Sequence, residues 1–195
     1  MNDKTLRLSS RIALWMLLSV CFPCAAGQGQ GQGLTMSREE ELAKLIAIVG
    51  DASLQETNPD RIVQAIERLG EMKAVEAVDD LVRLLSFRKW FPWENDPNQP
   101  KVVEGLGITD RQRYPAILAL IQIGSLSLPA LVKVIETHEP GSLETRNAME
   151  VIIQLSHYDR PPYVRKLKDA AAKASSPEAA ERLRKAAEAL KGSKR

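Results

Sequence analysis

VDDLVRLL, from Val78 to Leu85, and LPALVKVI, from Leu128 to Ile135, align without a gap, and apolar residues recur in both at helical spacing. Each octet is preceded by another apolar helix ending at a glycine. RIVQAIERLG, Arg61 to Gly70, places Ile62, Val63, Ile66 and Leu69 on one face. YPAILALIQIG, Tyr114 to Gly124, does the same with Ile117, Leu118, Ile121 and Ile123. A single amphipathic helix cannot bury its apolar stripe, so a repeated helix pair predicts stacking on neighbouring pairs. RNAMEVIIQLS, Arg146 to Ser156, with PYVRKLKDAA, Pro162 to Ala171, reads as a third and more diverged pair.

On the N-terminal side, Ser37 and Glu40 match a capping box, and Leu42, Leu45, Ile46 and Val49 follow at helical spacing up to Gly50. On the C-terminal side, Ser176 and Pro177 open the stretch EAAERLRKAAEALKG, whose Ala180, Leu183, Ala187 and Leu190 predict a helix that caps the stack. The expected fold is all-α, with the folded region over residues 37–191.

These residues resemble the HEAT-like repeat family, particularly the short bacterial type that also occurs in phycobilisome lyases. The resemblance rests on Ala65-x4-Gly70 with Val78-x2-Leu81, and on Ala119-x4-Gly124 with Leu128-Pro129-Ala130-Leu131, and covers about residues 58–172. It implies a short right-handed α-α superhelix, an α-solenoid of antiparallel helix pairs whose second helices line a concave binding surface. It implies no reaction.

The chain of 195 residues is 44% hydrophobic, enough for a core of one domain. Its start reads as an address. Lys4, Arg7 and Arg11 precede the apolar run Ile12 to Phe22, and Pro23, Ala25, Ala26 and Gly27 follow, the pattern of a signal peptide over 1–26. The run is too short to span a bilayer, for which about 20 apolar residues are needed, so no membrane span is expected after cleavage. Leu18-Ser19-Val20-Cys21 is a competing lipobox with the bulky Val20 out of pattern, and would make an anchored protein lipidated on Cys21. GQGQGQG, Gly27 to Gly33, reads as part of a flexible leader over 27–36. The expected location is exported, periplasmic or extracellular in a bacterium.

The same segment holds both cysteines, Cys21 and Cys24, so cleavage after Ala26 or Gly27 leaves no thiol for redox or metal chemistry. It also removes three positive charges and one negative from totals of 27 and 25, leaving 24 of each. A neutral chain has no electrostatic basis for binding nucleic acid. The two histidines, His138 and His157, fit no metal-binding spacing, and Ser156-His157-Tyr158-Asp159 cannot converge as a triad from consecutive positions at a helix end. No catalytic residue, metal or cofactor is expected.

Two features point to a partner. The stretch from Phe87 to Asp110 carries Pro92, Pro97, Pro100, Gly105 and Gly107, so it reads as a loop of about 23 residues inserted at 87–110. Phe87, Trp90, Phe91 and Trp93 fall within its first seven positions. Trp90 and Trp93 with Arg88 and Lys89 form a candidate recognition patch, because Trp and Arg dominate interface hot spots. Alternatively, Phe87 and Phe91 fold back over the stack to fill a gap between repeats, with Trp90 and Trp93 partly exposed. The second feature is one basic residue per second helix, Arg83, Lys133 and Lys166, a candidate ladder for an acidic partner unless Asp79, Asp80 and Glu136 neutralise it. The function expected from these features is a non-enzymatic adaptor or scaffold that binds another protein. An envelope-structural protein and a cofactor handler related to the lyases are the alternatives.

Overall fold

Ser37 opens the first helix as its spacing predicts. In the computed structural model, which describes residues 36–91 and 110–192, its hydroxyl accepts from the Glu40 N–H at 3.2 Å while the Glu40 carboxylate accepts from the Ser37 N–H at 3.0 Å. The signal segment with Cys21 and Cys24, the Gly/Gln repeat, Trp93 and most of the inserted loop lie outside the described residues.

Ten α-helices and no strand occur among the described residues: α1 Arg38–Gly50, α2 Ala52–Thr57, α3 Pro59–Glu71, α4 Val78–Arg83, α5 Asp110–Arg113, α6 Pro115–Ile123, α7 Leu128–Thr137, α8 Leu143–Leu155, α9 Arg160–Lys173 and α10 Pro177–Gly192. The all-α expectation is met. The short α2 is not legible from periodicity, because it has no buried residue; a local cap starts it, the Asp51 carboxylate accepting from the Ser53 N–H at 2.9 Å. Asn58 and Pro59 then start α3, a side-chain cap followed by a residue whose fixed φ suits the first turn.

The two matched units share a local design. Each first helix leads through a 3₁₀ turn, Val75–Ala77 or Gly124–Ser127, into its second helix. Ala77 and Ser127, at equivalent positions, are fully buried. The Ser127 hydroxyl is satisfied by donating to the Gly124 carbonyl at 2.7 Å. The two aligned glycines, however, do different work. Gly124 takes φ +86°, which only glycine adopts without strain, and turns the chain out of α6. Gly70 remains inside α3, which ends instead with Lys73 at φ +51° and the Ala74 N–H bonded to the Leu69 carbonyl at 3.0 Å. Gly70 is small for another reason: a Cβ there would lie 2.8 Å from the Ala119 Cα of α6. It is a point of close approach between the two first helices.

Helix packing runs largely between units. α3 packs on α1 and α6, and α6 on α8, while α7 packs on α8, α10 and α4. Burial follows the predicted stripe in α3, where Ile62, Val63, Ile66 and Leu69 are all in the core. In α6 the buried set is Pro115, Ala116, Ile117, Ala119, Leu120 and Ile123, whereas Leu118 is 44% exposed. Nearly every residue of α6 is apolar, so hydrophobic period alone cannot select its inward face. The stretch Pro115–Thr137 also has the length and hydropathy of a membrane span. The Gly124 turn divides it, and Ile117, Leu120, Leu128, Leu131 and Ile135 put that apolarity into the core.

The C-terminal helices differ from a simple third pair. α9 packs chiefly on α10, and it is α10 that lies against α7. Ala180, Leu183, Ala187 and Leu190 are buried as their spacing predicts. Polar contacts fix the junction: the Arg182 guanidinium donates to the Glu136 carbonyl at 2.8 Å, and the Glu136 carboxylate accepts from the Ser175 N–H and hydroxyl, both at 3.2 Å. An arginine at the end of α7 satisfies a carbonyl that the helix itself leaves free.

Candidate recognition surface

After α4 the chain turns through Leu84 to Ser86 and then runs irregularly to Phe91. Several anchors hold this segment. The buried Asn147 of α8 donates from Nδ2 to the Leu85 carbonyl at 2.6 Å. The Phe87 N–H bonds to the Leu84 carbonyl at 2.9 Å, and the Phe87 ring packs against the core. Two residues on, the Lys89 N–H donates to the Arg113 carbonyl at 2.8 Å, and its ammonium pairs with Glu67 of α3 at 3.2 Å. The Glu144 carboxyl is held below the usual range, first by its own backbone N–H at the start of α8 and next by the Ser86 hydroxyl. An anion at a helix N-terminus is stabilised by the free N–H groups there.

These anchors present Trp90, which is 55% exposed. The Arg88 guanidinium carbon lies 4.4 Å from the centroid of the Trp90 ring, a cation–π stack that limits the rotamers of both side chains. Trp90 and Arg88 share a shallow depression of about 350 Å³ with Phe87, Arg83, Gln55 and Glu56. α2, invisible to periodicity, thus supplies one wall. Phe87 packs on the core and Trp90 is exposed, as the fold-back reading has it for these two residues. Trp93 lies outside the described residues.

The other candidate residues do not join this depression. Lys89 turns to Glu67 and its side chain is mostly covered. Arg83 lies at the rim and is paired with Asp80 one turn earlier in α4. Its sequence equivalent Lys133 lines a separate hollow with Val75, Asp79 and Leu126. Lys166 is exposed on α9, which packs on α10 and so is not the counterpart of α4 and α7. The three basic residues therefore do not line one depression.

Asn147 escaped sequence reasoning because its partner is 62 positions away. The available signal was an amide among the buried Ala148, Val151 and Ile152 of one helix face.

The histidines are placed as local features. His138 Nδ1 lies 3.2 Å from the Val134 carbonyl at the end of α7, and the His157 ring meets Tyr158 edge-on. The buried Ser156 hydroxyl donates to the Ile153 carbonyl at 3.0 Å. Among the described residues no three His, Asp or Glu side chains gather as a metal site. Comparison of the chain with family models, with curated proteins and with solved structures finds no match.

Proposed function

We propose that the chain is an exported, non-enzymatic adaptor, a short HEAT-like solenoid of antiparallel helix pairs whose aromatic segment docks another protein. The observation that carries this reading is Trp90, more than half exposed although the backbone just before it is tied down by the bond from the Lys89 N–H to the Arg113 carbonyl. An ordered, exposed indole is the kind of anchor that dominates interfaces, since little entropy is lost when it is covered. Covering the exposed part of a side chain that buries about 250 Å² contributes about 3 kcal/mol at ~25 cal/mol per Å². The repeat reading is supported by the two helix–3₁₀–helix units and by Ala77 and Ser127 buried at the same place in each.

The test is partner recovery from the envelope fraction with wild type and Trp90→Ala. Loss of roughly 2 kcal/mol or more of affinity, with an unchanged melting temperature, is the expected outcome. Binding that falls only as the fold is lost would overturn it. Export is checked separately by mass spectrometry of the mature N-terminus: a start at Gly27 or Gln28 is expected, and an acylated Cys21 would instead make an anchored protein.

A further inference from the structure

Among the described residues six large apolar side chains are exposed, and two of them, Val75 and Leu126, meet in one hollow of about 330 Å³. Its walls come from equivalent places in the two matched units. The turn before α4 and its first residues supply Val75, Glu76 and Asp79; the turn before α7 and that helix supply Leu126, Pro129 and Lys133. α7 packs on α8 and α10 as well as on α4, and the hollow lies between α7 and the start of α4. Leu126 is 62% exposed in the 3₁₀ turn before α7.

The charges around the hollow are unspent. Arg68, Arg83, Lys89 and Arg111 are paired with carboxylates, but Glu76, Asp79 and Lys133 have no salt-bridge partner among the described residues. The two carboxylates stand on the α4 wall beside Val75, and the ammonium stands opposite. We infer that the α4–α7 hollow is a second docking site, independent of Trp90, for a peptide segment that carries a basic side chain beside an apolar one. The apolar side chain covers Val75 and Leu126, and the basic one reaches Glu76 and Asp79. Two acidic groups against one basic group give the hollow a net negative sign, which selects the charge of the occupant. Lys133 opposes that occupant.

The test uses the full chain and three fluorescein-labelled dodecapeptides: alternating Lys and Leu, alternating Lys and Ser, and alternating Glu and Leu. Anisotropy titrations are expected to give the Lys/Leu peptide at least tenfold tighter binding than either of the others. Asp79→Lys and Leu126→Ser should each weaken it at least fivefold, while Lys133→Glu should tighten it about threefold, a gain that simple damage to the fold cannot produce. Trp90→Ala and Glu181→Lys, the latter on α10, should leave it unchanged. Equal binding of the Glu/Leu peptide, or equal losses with Glu181→Lys and Asp79→Lys, would overturn the assignment. So would weaker binding by Lys133→Glu in a protein whose melting temperature is unchanged. Because Trp90→Ala is a separate arm, failure here leaves the aromatic segment untouched, and the reverse also holds.

Discussion

Gly70→Ala isolates the contact on which the stacking of α3 against α6 depends. The added Cβ would lie 2.8 Å from the Ala119 Cα and 3.0 Å from the Ala119 Cβ, and it would also displace the Gln122 side-chain oxygen. Carbon atoms pack best at about 3.5–4.0 Å. The glutamine end can swing away, but the Ala119 backbone cannot, so α3 and α6 must part by about 0.7–1 Å at this point. Overpacking of that kind costs about 1–3 kcal/mol. Alanine in a helix returns about 0.5–1 kcal/mol of conformational entropy relative to glycine. The net is a loss of about 1 kcal/mol, in a span of about 0–2.5 kcal/mol, and each kcal/mol lowers the melting temperature by roughly 2–4 °C for a domain of this size. Gly50→Ala is the matched control, because nothing lies within 4 Å of a Cβ there; it should be neutral or slightly stabilising. Adding Ala119→Gly to Gly70→Ala removes the 3.0 Å contact but leaves the 2.8 Å one, and a glycine inside α6 itself costs about 0.5–1 kcal/mol, so no net recovery is expected. Calorimetry on the four proteins decides the matter. If Gly70→Ala melts at or above the wild type, the tight approach of α3 to α6 is wrong.

The remaining predictions concern the core, the anchor of the aromatic segment and acid stability. Leu120→Ala and Ile66→Ala should each cost roughly 2–5 kcal/mol in denaturant unfolding, whereas Leu118→Ala, on the exposed side of the same helix as Leu120, should cost below about 1 kcal/mol; similar losses at Leu118 and Leu120 would put the wrong face of α6 in the core. Asn147→Ala should cost about 1–3 kcal/mol by leaving the Leu85 carbonyl unsatisfied, and hydrogen exchange should rise at the Phe87 amide; unchanged protection there would show that Asn147 does not hold the segment. The depressed Glu144 carboxyl stabilises the fold above the ordinary glutamate value of about 4.3, and that contribution is lost as pH falls through its lower folded value. Glu144→Gln should therefore be less stable than wild type at pH 7, with the difference closing below about pH 4; a gap that persists in acid would assign it to something other than the charge.

Helices with one polar and one apolar side are legible in the amino-acid sequence by itself. α3 and α10 bury the stripes their spacing defines, and Ser37 caps α1 through a bond to a residue three positions away. Each of these is a local matter, settled by periodicity or by groups within one turn. Tertiary packing decides what local signals leave degenerate. α6 is apolar all round, so only its neighbours choose Leu120 over Leu118 for the core. Two glycines at matched positions look alike in sequence, yet one supplies a backbone conformation and the other a clearance. The succession of helices suggests α9 as the partner in the third pair, but the bonds from Arg182 and Ser175 to Glu136 bring α10 to α7 instead. The aromatic segment divides in the same way: the density of aromatics marks it in sequence, but only contacts spanning 22 to 62 positions determine that Phe87 turns in, Lys89 is spent on Glu67 and Trp90 remains outside. Such contacts depend on which surfaces the folded chain brings within a few ångströms, and no local pattern encodes that distance.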